Sequence, residues 1–376
     1  MILNALKYIR SKGEAKEWVI EGRNEDRVHF GNINLIVGKN AVGKSRTLAV
    51  IREIANLLSG SKTIQDMPYD NAGYELEFKD GGNLYEYIFA YTNDKVTDEK
   101  LFINGELRLD RSKGRLYSTA FDDLVPFLFD ENNLTTKGYD AQMHPFIEKL
   151  VVWGRSLHNS AFTNQLEKNY QVKDLSELNS DLYAQKLEPV ALLQTFWQGK
   201  LRFGKTYIDK IKKGMEVMGY PIETIDILEG KGGYSLHVKE DELDDVTSQL
   251  EMSQGMFRAL SFIVLLNFVM LSEISVCILV DDLGEGLDFE RSKTLIDMIV
   301  EDLDNTSIQV FITTNDRYIM NKLPLQYWTV LRRYPNKTLF YNYFNSKEIF
   351  DDFKYTGLSN FDFLASDFYV DGFEEE

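Results

Sequence analysis

The sequence predicts an α/β fold: a mixed sheet around a phosphate-cradling loop, with a β-rich flap and a helical insertion. Three observations predict it. An apolar run, Ile33 to Val37 (INLIV), leads into a glycine-bounded loop and then into a stretch of helical period. Two later apolar runs, Val276 to Val280 and Gln309 to Thr313, read as parallel-sheet strands around a helix from Ser292 to Leu303. Between these blocks lie short alternating segments with turn signals.

Taken in order, Arg46 to Leu58 carries Leu48, Ile51, Ile54, Ala55 and Leu58 at helical spacing. From Tyr74 to Asp110 the pattern turns β-like: YELEF, Asp80-Gly81-Gly82, LYEYIFAYT, LFI, then Asn104-Gly105 before ELRL. Asn-Gly between alternating apolar residues marks a tight hairpin. From about Tyr117 to Met218 the chain reads as mainly helical. β-like segments return at Ile222–Leu228 and Tyr234–Val238, split by Gly230, Gly232 and Gly233, and a long helix follows Gly255. The expected divisions are 1–116, an N-terminal lobe with the phosphate loop and flap; 117–218, the helical insertion; 219–345, a C-terminal lobe; and 346–376. This last stretch has nine acids, two bases and six Phe, too aromatic for a simple disordered tail.

A chain of 376 residues, 44 % hydrophobic and 27 % charged, holds enough apolar residues for two lobes or one domain with a large insertion. The net charge of −17 argues against coating nucleic acid by bulk attraction and leaves a local basic face open. The lone Cys277, inside an apolar run, reads as a buried thiol. Met1 to Lys12 lacks the apolar core of a secretion signal, and Ala259 to Leu271 is too short to span a bilayer, so a cytoplasmic chain without membrane is expected. His29, His144, His158 and His237 show no ligand spacing.

Gly38-Lys39-Asn40-Ala41-Val42-Gly43-Lys44-Ser45 fits G-x-x-x-x-G-K-[ST]. Glycines let backbone N–H groups turn inward around phosphates, and the following helix adds its positive end. Lys44 reaches the β- and γ-phosphates, the Ser45 hydroxyl binds Mg²⁺, and Arg46 follows as a further contact to the nucleotide, ATP. Hydrolysis also needs an acid on the metal and a group for the attacking water. The strand-like Ser275 to Val280 ends in two carboxylates: Asp281 is assigned to Mg²⁺ and Asp282 to the water. Read alone, that pair could equally cap a loop.

Asp281-Asp282-Leu283-Gly284-Glu285-Gly286-Leu287-Asp288 resembles the Walker B and D-loop of ABC-type ATPases, D-E-P-x-x-x-L-D. Met252-Ser253-Gln254-Gly255 with Arg258 resembles the ABC signature, and INLIVGKNAVGKS resembles the opening of the SMC-like and OLD-like branch. The resemblance covers roughly Ile33 to Trp328. It implies that Ser253 and Gly255 contact the γ-phosphate of ATP held by a partner head, with Asp288 at the dimer seam. Ser253 also reads as a helix N-cap and Asp288 as a helix-start acid, readings compatible with these roles. Three departures stand out: Asp282 replaces Glu, Met252 replaces Leu, and Asn315 occupies the position of the switch histidine. Gln142 is the candidate for the glutamine-containing loop.

The resemblance therefore implies an ABC-type P-loop NTPase head that hydrolyses ATP with Mg²⁺ and dimerises, or forms a higher homo-oligomer, through ATP-sandwiched heads. It implies regulation of a nearby-encoded protein effector or of a nucleic-acid transaction, with possible DNA contact, in prokaryotic anti-phage defence or DNA maintenance. Two rivals stay open: an ATP-binding scaffold with little hydrolysis, and a transporter ATPase subunit.

Overall fold

A computed structural model describes residues 1–161, 168–179, 191–241, 243–303 and 306–373. In chain order the elements begin with β1 (Ile2–Arg10), β2 (Trp18–Gly22), β3 (Val28–His29), β4 (Ile33–Val37) and α1 (Lys44–Leu58). The flap follows as β5 (Asn71–Asp80), β6 (Asn83–Thr92), β7 (Lys95–Ile103), β8 (Glu106–Asp110), β9 (Arg115–Ser118) and β10 (Asp123–Pro126). Then come α2 (Pro145–Arg155), β11 (Leu157–Ala161), α3 (Ala191–Val217), β12 (Ile222–Gly230), β13 (Gly233–Glu240), β14 (Thr247–Ser248) and α4 (Gln254–Ser272). The remainder is β15 (Cys277–Asp281), α5 (Phe289–Leu303), β16 (Gln309–Thr313), α6 (Arg317–Lys322), β17 (Trp328–Arg333), β18 (Lys337–Asn342), α7 (Lys347–Phe353), α8 (Asn360–Ala365) and α9 (Phe368–Asp371).

The chain divides into two compact units. The first holds Met1–Leu157, Ser275–Leu279 and Leu303–Glu376. Its strands run in the order β10-β9-β8-β7-β6-β5-β1-β2-β18-β17-β4-β16, followed by the start of β15. β4 lies parallel to both β16 and β17, which buries it on both faces; all five of its residues are buried, as an apolar run in a parallel sheet requires. The flap is a meander of antiparallel hairpins, β5 to β10. Asn104 and Gly105 both adopt positive φ at the β7–β8 turn, the backbone that a two-residue hairpin needs. Asn93 (φ 50°) and Asp94 (φ 63°) do the same between β6 and β7. That turn carries no glycine, and β7 accordingly begins at Lys95, well before the apolar LFI run that signalled a strand.

Residues 117–126 differ from the helical expectation: the meander continues through β9 and β10 before α2 begins at Pro145. Ladder pairing of β9 with β8 and of β10 with β9, rather than side-chain periodicity, decides the conformation. Part of the expected insertion, 162–167 and 180–190, lies outside the described residues.

The second unit holds His158–Ile274 and Val280–Asp302. The three-stranded sheet β12-β13-β14 accompanies the helix pair α3 and α4. Tyr207 of α3 donates to the Val264 carbonyl at 2.9 Å, and Gly214 lets the Ile263 side chain approach so closely that a Cβ there would lie 2.9 Å from its Cγ2. α4 spans 19 residues with a mean hydropathy of 1.8, longer than the apolar run alone suggests. Of its most apolar 18-residue window 67 % is buried, as in the core helix of a globular unit.

The C-terminal segment folds back onto the first unit. Phe363 packs its ring 4.6 Å from Phe350, 5.0 Å from Phe353 and 6.5 Å from Trp328 of β17, while Tyr369 lies 5.2 Å from Tyr341 of β18. Glu348, Asp352 and Asp371 of this segment are exposed. Glu374 to Glu376 lie outside the described residues.

Candidate nucleotide site

The loop between β4 and α1 belongs wholly to the first unit. Ala41 (φ 63°) and Gly43 (φ 111°) both adopt left-handed backbone, and Gly43 is the N-cap of α1. Alternation of this kind turns successive N–H groups to one side, forming a concavity for anions. Gly38 is required by space: a Cβ there would sit 2.7 Å from Val42 Cγ2 and 2.9 Å from the Leu331 carbonyl oxygen. The first turn of α1 carries no acid of its own to offset the helix's positive end.

Lys44 is buried, and its Nζ donates to the Gly38 carbonyl at 2.9 Å, folding the ammonium across the loop. Ser45 and Arg46 are exposed. The Arg46 guanidinium lies 4.8 Å over the Trp18 ring, and Trp18 is 3.6 Å from where a Gly43 Cβ would be. The β17–β18 hairpin props the loop from outside. Arg333 donates to the Ala41 carbonyl at 3.1 Å, and Thr338 donates to that of Val42 at 3.3 Å. Lys39 and Asn40 are exposed, and Lys39 pairs with Asp367 of the C-terminal segment at 2.7 Å. Trp18, Arg333, Thr338 and Asp367 lie far from the loop in sequence, and no local pattern announces them. Asn315, exposed, follows β16 in the same unit, next to Asp316, which caps α6 by accepting from Tyr318 N. Gln142 is exposed in a turn built on Asp140.

The second unit holds Asp281, Asp282, the signature-like segment and Asp288. Asp281 ends β15 half-buried, and Asp282 adopts φ 54°. Left-handed backbone at a residue other than glycine costs on the order of 1–3 kcal/mol and gathers at functional sites. Ser253 is the N-cap of α4, its Oγ accepting from Met256 N at 3.2 Å. Gly255 lies against the Gly286 carbonyl oxygen, 2.6 Å from where its Cβ would be. The buried Arg258 donates to the Glu285 carbonyl, so the start of α4 and the 284–288 turn are knotted together. Asp288 accepts from Arg291 N at 3.0 Å and pairs with the Arg291 guanidinium. Its carboxyl is held below the usual range, chiefly by that backbone hydrogen bond. The i,i+3 spacing of Asp288 and Arg291 was the one signal by which this pair could be read from sequence.

A hydroxyl such as that of Ser45, in the first unit, and a carboxylate such as that of Asp281, in the second, are each hard oxygen ligands of the kind that Mg²⁺ takes together with phosphate oxygens. Among the described residues no group of three or more His, Cys, Asp or Glu is placed to hold a metal ion.

Fold and loop together define a P-loop ATPase of the ABC-type, SMC-like class. Residues 33–321 match the family described as "AAA domain, putative AbiEii toxin, Type IV TA system", and the chain belongs to that family. The fold is that of a solved SMC head bound to the C-winged helix domain of ScpA, with a TM-score of 0.51 at 14 % identity, covering 90 % of this chain and 97 % of that one. Also similar are the Pyrococcus furiosus Smc head with an extended coiled coil bound to the C-terminal domain of ScpA (TM-score 0.49, 12 % identity, 94 % and 99 % covered) and the Thermotoga maritima SMC head (0.45, 12 %, 90 % and 98 %). No curated protein matches the chain.

Proposed function

We propose that this protein is an ATP-hydrolysing switch that dimerises on ATP and regulates a protein effector or a nucleic-acid transaction in prokaryotic anti-phage defence or DNA maintenance. The observation that carries the reading is the phosphate loop: left-handed Ala41 and Gly43, a first helical turn without acids, and Lys44 folded over the loop. In this reading Gly38 to Ser45 and Arg46 hold ATP, and Ser45 and Asp281 would hold Mg²⁺. Bound there, the metal would supply positive charge to the phosphate oxygens. Asp282 accepts the proton of the attacking water, and Asn315 hydrogen-bonds a phosphate oxygen without carrying a proton. Ser253, Gly255 and Asp288 serve ATP bound by a second copy. The knot between α4 and the 284–288 turn supports this, because it presents the signature and the D-loop as one rigid edge.

The family description, "putative AbiEii toxin, Type IV TA system", supports a role within a two-component toxin–antitoxin system. A second reading, an ATP-binding scaffold with little hydrolysis, is favoured by Asp282, whose side chain is one methylene shorter than the glutamate of the family pattern. One experiment separates them. Asp282→Asn in the switch reading binds ATP, stops hydrolysis and accumulates as an ATP-bound dimer in size-exclusion chromatography. Hydrolysis at the parental rate by that variant removes Asp282 from the mechanism; a parental protein with no turnover above background favours the scaffold.

A further inference from the structure

The β17–β18 hairpin meets the phosphate loop at two consecutive carbonyls. The parallel register that sets Val330 beside Val37 puts Leu331 against Gly38, its carbonyl oxygen 2.9 Å from where a Gly38 Cβ would be. Two residues further on, Arg333 ends β17 and donates from Nη1 to the Ala41 carbonyl at 3.1 Å. Thr338, its cross-strand partner, donates to the Val42 carbonyl at 3.3 Å. A third residue fixes the direction of that second bond. Trp18 donates its indole N–H to Thr338 Oγ1 at 3.0 Å, and an indole can only donate. The Thr338 hydroxyl therefore accepts from Trp18, and its own proton is left for Val42. Thr338 is fully buried, so water does not compete for that proton.

Peptide geometry turns these outward contacts into an inward one. In a trans peptide unit the carbonyl and the following N–H point in opposite directions, and this chain has no cis bonds among the described residues. With the Ala41 and Val42 carbonyls drawn toward the hairpin, the N–H groups of Val42 and Gly43 point away from it. Among the described residues neither N–H donates a hydrogen bond. Left-handed Ala41 and Gly43 stand at the two ends of this pair of peptide units, in the alternation that makes the loop concave.

We infer that Arg333 and Thr338 are positioning residues, a cross-strand pair that fixes the 41–42 and 42–43 peptide planes and so aims the Val42 and Gly43 N–H groups at the phosphates of bound nucleotide. The inference rests on the loop's holding ATP, as proposed above. The two residues lie 292 and 296 positions from the carbonyls they hold, outside every motif of the sequence.

Thr338→Val keeps the shape of the side chain and removes only the hydroxyl, which Thr338→Ser retains. Arg333→Met is made at an exposed position, where the core is undisturbed. It is measured in about 0.5 M KCl, which largely screens attraction between an exposed charge and the nucleotide. Calorimetric affinities for Mg-ATP and Mg-ADP are compared with the parent's, alongside melting temperatures without nucleotide. Arg333→Met and Thr338→Val each weaken ATP and ADP alike by about fivefold, the scale of one lost hydrogen bond. The two nucleotides fall together because loop amides cradle the α- and β-phosphates that both carry. Thr338→Ser binds within about twofold of the parent, its hydrogen bond kept, and Arg333→Met melts with the parent. Should Thr338→Val fail to fold, its indole partner left without an acceptor, the Arg333→Met affinities decide alone. Parental affinity for both nucleotides in Arg333→Met overturns the inference. A loss confined to ATP also overturns it, since that result makes Arg333 a direct contact of the γ-phosphate. Lys44→Ala is the control for the underlying reading. If Lys44→Ala binds ATP at full strength, the loop reading fails and the pair falls with it; if Lys44→Ala loses ATP while Arg333→Met keeps it, the positioning role alone fails.

Discussion

Phe363→Ala tests whether the C-terminal segment is an integral strap of the first unit. Phe363 is fully buried, and its ring meets Phe350, Phe353, Phe368, Tyr369 and Trp328, all within 6.5 Å. It sits in α8, which is fastened at its start: Asn360 donates to the Leu323 carbonyl at 2.9 Å and Phe361 N donates to Asn321 Oδ1 at 2.8 Å. Truncating a buried Phe costs about 3–5 kcal/mol, combining lost transfer energy with the cavity left behind. For a lobe of this size that corresponds to a fall in melting temperature on the order of 10 °C. The assay is urea and thermal unfolding without nucleotide, with Tyr355→Ala as control. Tyr355 is 87 % exposed, and its loss shifts stability by about 0.5 kcal/mol or less. An unfolding midpoint for Phe363→Ala equal to the parent's would refute the strap and leave the segment free to dock elsewhere.

Two further outcomes are expected. Lys44→Ala weakens ATP binding by at least about 100-fold in calorimetry, since each charge-assisted hydrogen bond from Lys44 to the phosphates contributes about 1.5–3 kcal/mol; its circular dichroism stays parental, and full-strength binding would refute the loop assignment. His158 gives a pH dependence: burial pushes its imidazole down to about 4 from an ordinary 6.5, so between those values the unfolded chain binds the extra proton. Stability is therefore full above pH 6.5 and lost progressively as pH falls toward 4, by up to about 3 kcal/mol. His158→Gln flattens that slope in urea titrations at pH 7.5 and 5, and an unchanged slope excludes His158 as its source.

The sequence by itself determined the local pieces. INLIV became β4 residue for residue, QVFIT became β16, and the helix after the loop began at Lys44, because strand and helix patterns are set by period and by neighbouring backbone. The loop was legible for the same reason: its glycines, lysine and serine act within eight consecutive residues. Ser253 was read as a cap and is one, since capping is a contact three residues long. Only the tertiary structure decided which distant side chains attend those pieces. Trp18 lies beside Gly43, Asp367 on Lys39, and Tyr220 between Gly255 and Arg291, across separations from 25 to 328 residues. The strands of β9 and β10 likewise escaped periodicity, because their pairing partners rather than their own side chains hold them extended. Contacts of that kind depend on strand order and on packing between elements, and no window of sequence contains both partners.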